Sequence, residues 1–127
     1  MPVKETEMSG LKKFGDAGYV AEIKYDHIMN IVRQAEKCPN ITRIMLFGSS
    51  TEERCSERSD IDIAVFGKKQ RGRYILSGEF SNFQKSIYLY DLRQDYDVLY
   101  YVEGKHYDDA VIGNINKGIE IYRKAAS

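Results

Sequence analysis

Two short apolar runs, "RIMLF" at 43–47 and "DIDIAVF" at 60–66, constrain this chain more than any other feature. Each has the length and composition of a buried strand. The first runs straight into Gly48-Ser49, and ten residues separate Ser49 from Asp60. The second carries two aspartates one residue apart. On a strand, successive side chains alternate between faces, so Ile61, Ile63 and Val65 share one side while Asp60, Asp62 and Ala64 share the other. Two carboxylates roughly 6–7 Å apart on one face repel each other or call for a cation. The plain alternative is an edge strand whose acidic face is solvated, with Gly48-Ser49 a simple turn.

The elements around these strands alternate between helix and strand. Ile28, Ile31, Val32 and Ala35 fall at helical spacing, which predicts an amphipathic helix from Tyr25 to about Lys37. Cys38-Pro39-Asn40 stops it, because the residue before a proline disfavours the α region. Phe80, Phe83, Ile87 and Tyr90 form a second helical stripe. "DVLYYV" (97–102) reads as a third strand, His106 to Asn116 as a helix on Val111, Ile112 and Ile115, and "IEIY" as a short extended tail after Gly118. Residues 1–22 are polar and punctuated by glycine, with Leu11, Phe14 and Tyr19 as the sizeable anchors. They read as a loose arm ahead of a single domain spanning 23–127. The whole is a mixed α/β (α+β) layer domain, in keeping with 127 residues.

Composition narrows the setting. Lys+Arg and Asp+Glu are equal at 19 each, so no global basic field argues for nucleic acid. Two cysteines, Cys38 and Cys55, do not make a disulfide framework. No stretch approaches a membrane span, and "MPVKETEMSG" lacks the layout of a signal peptide. A cytoplasmic protein without a membrane partner is expected.

The chemistry follows from the carboxylates. Mg²⁺ takes one or two protein carboxylates and completes its shell with water and substrate phosphates. Gly48 would let backbone approach a phosphate, and the Ser49 hydroxyl and neighbouring amides could donate to its oxygens. A third carboxylate would complete a site for two metal ions, and Asp97, opening the third strand, is the candidate. Asp91 and Asp95 compete with it. Asp91 falls in the tail of a helical stripe and reads as solvated. Asp95 falls in the turn that enters the strand.

Other residues are less informative. Lys68, Lys69, Arg71 and Arg73 crowd one loop, either a clamp for a triphosphate or an anionic acceptor such as tRNA, or a solvated hairpin, the reading we prefer. His27 and His106 have no companions for a zinc site. The tyrosines clustered around the third strand read as core packing. No Gly-Lys-[Ser/Thr] follows a glycine-rich loop, and "DIDIAV" fails as a calcium loop at Ala64 and Val65.

Strand, Gly48-Ser49, ten residues, Asp60-Ile61-Asp62 and a distal Asp97 together resemble the nucleotidyltransferase superfamily of the DNA polymerase β type, and within it the minimal, antitoxin-like nucleotidyltransferases. The resemblance spans about residues 25–123, and "NKGIEIY" is similar to the close of such domains. It implies a small mixed sheet flanked by helices. It also implies Mg²⁺-dependent transfer of a nucleoside monophosphate, AMP from ATP, to a hydroxyl. Asp60, Asp62 and Asp97 would hold two Mg²⁺ ions, and Gly48, Ser49, Ser50 and Arg54 would contact the nucleotide. Many relatives carry an arginine soon after the Gly-Ser pair and a glycine a few residues later. Here Ser50, Thr51, Glu52 and Glu53 stand there, and Arg54 is the nearest cation. The implied partners are a macromolecular acceptor, foremost a HEPN-type toxin chain, and a homodimer is a candidate assembly. The rival expectation is a non-catalytic module of the same fold that neutralises a partner by contact.

Overall fold

The computed structural model describes residues 10–125. A hairpin of β1 (Leu11–Phe14) and β2 (Gly18–Ala21) leads through a 3₁₀ turn, Glu22–Lys24, into α1 (Tyr25–Ala35). Then follow β3 (Ile41–Phe47), a 3₁₀ turn at Gly48–Thr51, β4 (Ile61–Gly67), a single helical turn α2 (Arg71–Tyr74) and α3 (Gly78–Tyr90). The chain continues through β5 (Tyr96–Val102), α4 (Ala110–Asn116) and β6 (Ile119–Arg123).

The strands β5-β4-β3-β6 form one sheet in that order. β3 runs antiparallel to both β4 and β6, while β5 runs parallel to β4, so the sheet is mixed. The parallel pair needs a crossover, and α2 and α3 supply it. The expected strands and helices all form, with ends shifted by a few residues, but Tyr90 and Val111 of the expected helical stripes are exposed. α4 starts at Ala110 rather than His106 because Asp109 caps it, its carboxylate accepting from Ile112 N at 2.8 Å. Ser77 caps α3 in the same way through Phe80 N.

Strand alternation divides the core in two. Ile61, Ile63 and Val65 of β4 join Ile44 and Leu46 of β3 and Tyr96 and Tyr100 of β5 on one face. There α1 delivers Ile28, Ile31 and Ala35, and α3 delivers Phe80, Phe83 and Ile87. A fully buried Ile in this layer contributes about 1.5–3 kcal/mol by area. The opposite face carries Met45, Phe47, Ala64, Phe66 and Tyr101, covered by Ile115 of α4. Burial of Tyr96, Tyr100 and Tyr101 agrees with the core reading of the tyrosine cluster.

The arm expected at 1–22 is not loose over its described part. Residues 11–21 form the hairpin, and its Phe14 and Val20 enter the helical-face core. Phe14 meets Tyr25 edge-to-face, with ring centroids 5.6 Å apart. Residues 1–9 lie outside the described residues.

Gly118, between α4 and β6, lies flat on β3. A Cβ there would overlap the Leu46 carbonyl oxygen and come within 3.0 Å of the Leu46 carbonyl carbon and the Phe47 Cβ. The sheet backbone cannot yield as a side chain can. Gly118→Ala is therefore expected to destabilise the fold by about 3 kcal/mol, the upper end for overpacking. A lower urea midpoint at unchanged m-value would register it.

Candidate active site

The acidic residues gather at one end of the sheet. Asp62 and Asp97 are register partners on the parallel strands β4 and β5. Both side chains therefore project to the α4-covered face, from backbones about 4.8 Å apart. Phe47 of β3 pairs with Asp62 from the other side, and Gly48 follows it directly. Asp62 is half-buried, while Asp97 and Asp60 are exposed, Asp60 just ahead of β4. Asp95 precedes β5, and its backbone carbonyl accepts from Ile61 N at 3.1 Å. The placement of Asp97 inside the strand and Asp95 outside it follows the sequence expectation.

Burial pushes the Asp62 carboxyl above the ordinary carboxylate range, and the charges of Asp97 and Asp60 push it further. Ionising Asp62 thus opposes folding. The penalty is absent below the ordinary carboxylate value, where the group is protonated in both states, and complete above the raised value. Two charges about 5 Å apart at an effective dielectric of 20–80 repel by roughly 1–3 kcal/mol. Solvent at this partly open site screens that to the low end. Asp62→Asn is expected to stabilise the metal-free protein by ~1 kcal/mol at pH 7, about 3–5 °C in Tm. The gain should vanish by about pH 3, and melting curves at both pH values check it.

Gly48 fits closely over this carboxylate. Its φ of +75° is a left-handed conformation. A Cβ on it would sit 2.5 Å from Asp62 Oδ2. The following 3₁₀ turn closes on itself, with Thr51 Oγ1 donating to Gly48 O at 2.8 Å. A cleft of about 470 Å³ opens beside it, lined by Gly48, Thr51, Glu52, Arg54 and Asp62 on one wall and by Asn114, Lys117 and Gly118 on the other.

The expected nucleotide contacts divide. Gly48 and Arg54 line the cleft, but the Arg54 guanidinium is engaged by Glu52 at 2.8 Å. Ser49 is half-buried beside Gly48 and is not among the lining residues. Ser50 corrects the sequence expectation. The turn, which packs against β2 and β4, buries it fully, and its hydroxyl is not presented to the cleft. Asn114 and Lys117 were missed by the sequence reading. Lys117 had one signal, the "NKG" stretch at 116–118, and Asn114 had none. Asn114 reaches the cleft from α4, and Lys117 because β6 pairs with β3.

The basic loop stands apart from this site. Lys68 and Lys69 follow the far end of β4, where their backbone amides donate to the buried Asn40 side chain at 3.0 and 2.9 Å. About 17 Å of strand separates Asp62 from Gly67. Lys68, Lys69, Arg71 and Arg73 are exposed, in keeping with solvated charges, but Arg71 and Arg73 lie in α2 rather than in a loop or hairpin. Asp91 is not simply solvated. It bonds His27 Nε2 at 3.0 Å and Arg93 Nε at 3.1 Å, which hold its carboxyl well below the ordinary range.

Among the described residues, no three His, Cys, Asp or Glu side chains converge closely enough to hold a metal ion as they stand. The donor chemistry nonetheless suits a hard divalent cation: carboxylate oxygens, no soft ligand, and mutual repulsion that a cation relieves. No described helix is long and apolar enough to cross a membrane.

Compared with known families, residues 29–126 match the polymerase beta, nucleotidyltransferase family, about three-quarters of the chain. No curated protein matches.

Proposed function

The chain belongs to the polymerase beta nucleotidyltransferase family, and from that premise we propose that it is a Mg²⁺-dependent enzyme moving AMP from ATP to an acceptor hydroxyl. The observation that carries the reading is the in-register Asp62–Asp97 pair, with Gly48 packed on the Asp62 carboxylate. Structural carboxylates are not ordinarily kept in mutual repulsion at a sheet end beside an open cleft.

In this reading Asp60, Asp62 and Asp97 hold Mg²⁺, which when bound neutralises the carboxylates, binds the triphosphate and lowers the pKa of the acceptor hydroxyl. The cleft beside Gly48 takes the triphosphate, with Lys117 as the cation of its far wall. The acceptor oxygen attacks the α-phosphorus. The bond from that phosphorus to the bridging oxygen breaks, and pyrophosphate leaves with the electron pair. Asp97, open to solvent, receives the hydroxyl proton. The first acceptor to test is a HEPN-type toxin chain, and tRNA the second.

A non-catalytic binding module is the second reading. Two observations favour it: Glu52 occupies Arg54, and among the described residues no three carboxylates converge as they stand. One assay separates the two. Protein, α-labelled ATP, Mg²⁺ and the toxin chain should yield labelled acceptor and pyrophosphate in equal amounts, and both should stop on chelation. Absence of both products, with equal neutralisation of the toxin by wild type and by an Asp60→Asn/Asp62→Asn double variant, would establish the binding module.

A further inference from the structure

Lys24 is the most deeply buried charged side chain among the described residues, 1% exposed. It sits in the turn between the hairpin and α1, and among the described residues no carboxylate lies within ion-pair distance of it. Its Nζ donates to the Glu57 carbonyl at 3.0 Å and to Gln94 Oε1 at 2.5 Å. Gln94 is itself buried, 5% exposed. Its Nε2 donates to the carbonyls of Ser59, at 3.0 Å, and Asp95, at 2.7 Å.

A buried ammonium carries a heavy desolvation cost. A methionine of similar length would fill the same space without it. Two things set the ammonium apart: it donates to two acceptors at once, and its charge lies near Asp60, Glu57 and Asp91. Both of its partners bear on the candidate site. The loop between the Gly48–Thr51 turn and β4 has no regular structure, and its own backbone bonds close only small turns, Cys55 N to Glu52 O and Ser59 N to Ser56 O. Among the described residues, the hydrogen bonds tying 55–59 to the rest of the protein are those from Lys24 to Glu57 and from Gln94 to Ser59. Ser59 immediately precedes Asp60. Asp95, the other acceptor of Gln94, lies two residues before Asp97.

We propose that Lys24 and Gln94 are positioning residues for the carboxylate site: Lys24 anchors the loop that carries Asp60, and Gln94 joins that loop to the start of β5, fixing Asp60 against Asp97. The inference rests on reading Asp60 and Asp97 as site carboxylates. It adds two residues 70 positions apart that lie outside the cleft beside Gly48. It also makes the turn after the hairpin part of the device that sets the site.

The test uses the full chain with Lys24→Met. Amide hydrogen exchange should quicken for residues 55–61 and stay unchanged at the sheet centre, 44–46 and 63–65. Calorimetric titration with Mg²⁺ in the presence of a non-hydrolysable ATP analogue should show affinity reduced about 10–100-fold, the range for residues that orient metal ligands. A purely electrostatic role predicts the opposite sign, because removing a positive charge near Asp60 strengthens cation binding. Tighter Mg²⁺ binding, unchanged exchange at 55–61, or exchange accelerated equally throughout the chain would overturn the proposal. Should Lys24→Met fail to fold, Gln94→Met, which removes both ties to the loop and to β5, carries the same readouts. Asp60→Asn, titrated alongside, keeps the two readings apart. If it leaves Mg²⁺ affinity intact, the metal site is refuted, while the exchange result still judges the anchoring.

Discussion

Asp97→Asn is expected to lower nucleotide transfer by about 10³-fold or more, within the range for loss of a general base, and Asp95→Asn to leave most of it. The two aspartates are two residues apart, so sequence spacing alone would put them on one strand face. The strand begins at Tyr96, however, and Asp97 is the one registered against Asp62. Asp95 lies outside the sheet, and its contribution is a backbone carbonyl, which accepts from Ile61 N and Gln94 Nε2. An asparagine at 95 keeps that carbonyl. An asparagine at 97 keeps the shape but can neither accept the proton nor balance a cation. ATP binding with Mg²⁺ should survive Asp97→Asn, because Asp60 and Asp62 remain. Parallel rates for the two variants in the labelled-ATP assay decide it. An inactive Asp95→Asn beside an active Asp97→Asn would mean that the Asp62–Asp97 pairing is not what transfer uses.

That pairing was legible in the sequence because it depends on local period. Alternation along 60–66 assigned Asp62 and Ile61 to opposite faces, and "DVLYYV" did the same for Asp97 and Val98. Parallel pairing then put the two acidic faces together. The helical spacing of Ile28, Ile31 and Ala35 worked in the same way for α1. Ser50, expected in the site from the family resemblance, failed because a 3₁₀ turn breaks the strand period: three residues past β3, alternation no longer says which side faces the cleft. The hairpin at 11–21 failed for a different reason. Its strands are four residues each, too short for alternation to show. What orders them is distant, the burial of Phe14 and Val20 in a core built from residues 28–121. Lys117 and Lys24 share that dependence on long-range contacts. Lys117 reaches the cleft only because β6 returns beside β3, and Lys24 meets Gln94 across 70 positions. A lysine in a polar stretch gives no sign that it will be buried.

Gly48→Ala is expected to cost more in function than in stability, and the surroundings of the glycine say why. The φ of +75° disfavours any side chain, by roughly 1–2 kcal/mol for an L residue in the left-handed region. The new methyl would also stand 2.5 Å from Asp62 Oδ2, though 3.5 Å from Cγ and 3.8 Å from Cβ. Only the tip of the side chain is struck, and a carboxylate tip can turn. The clash therefore resolves locally, unlike that of Gly118→Ala against the β3 backbone, and the unfolding free energy should fall by only about 1–2 kcal/mol. The turn of the carboxylate is where function suffers. Asp62 can relieve the contact only by moving its oxygens away from the position that the glycine now leaves to them, beside the cleft. Displacing a catalytic group by about 1 Å can cost on the order of 10²-fold in rate, so transfer should fall at least that far at temperatures where the variant is fully folded. Urea unfolding and the transfer assay on the same preparation separate the two effects. Activity within about threefold of wild type, alongside the predicted loss of stability, would show that the glycine serves the turn alone and that the Asp62 orientation beneath it is not the one the reaction requires.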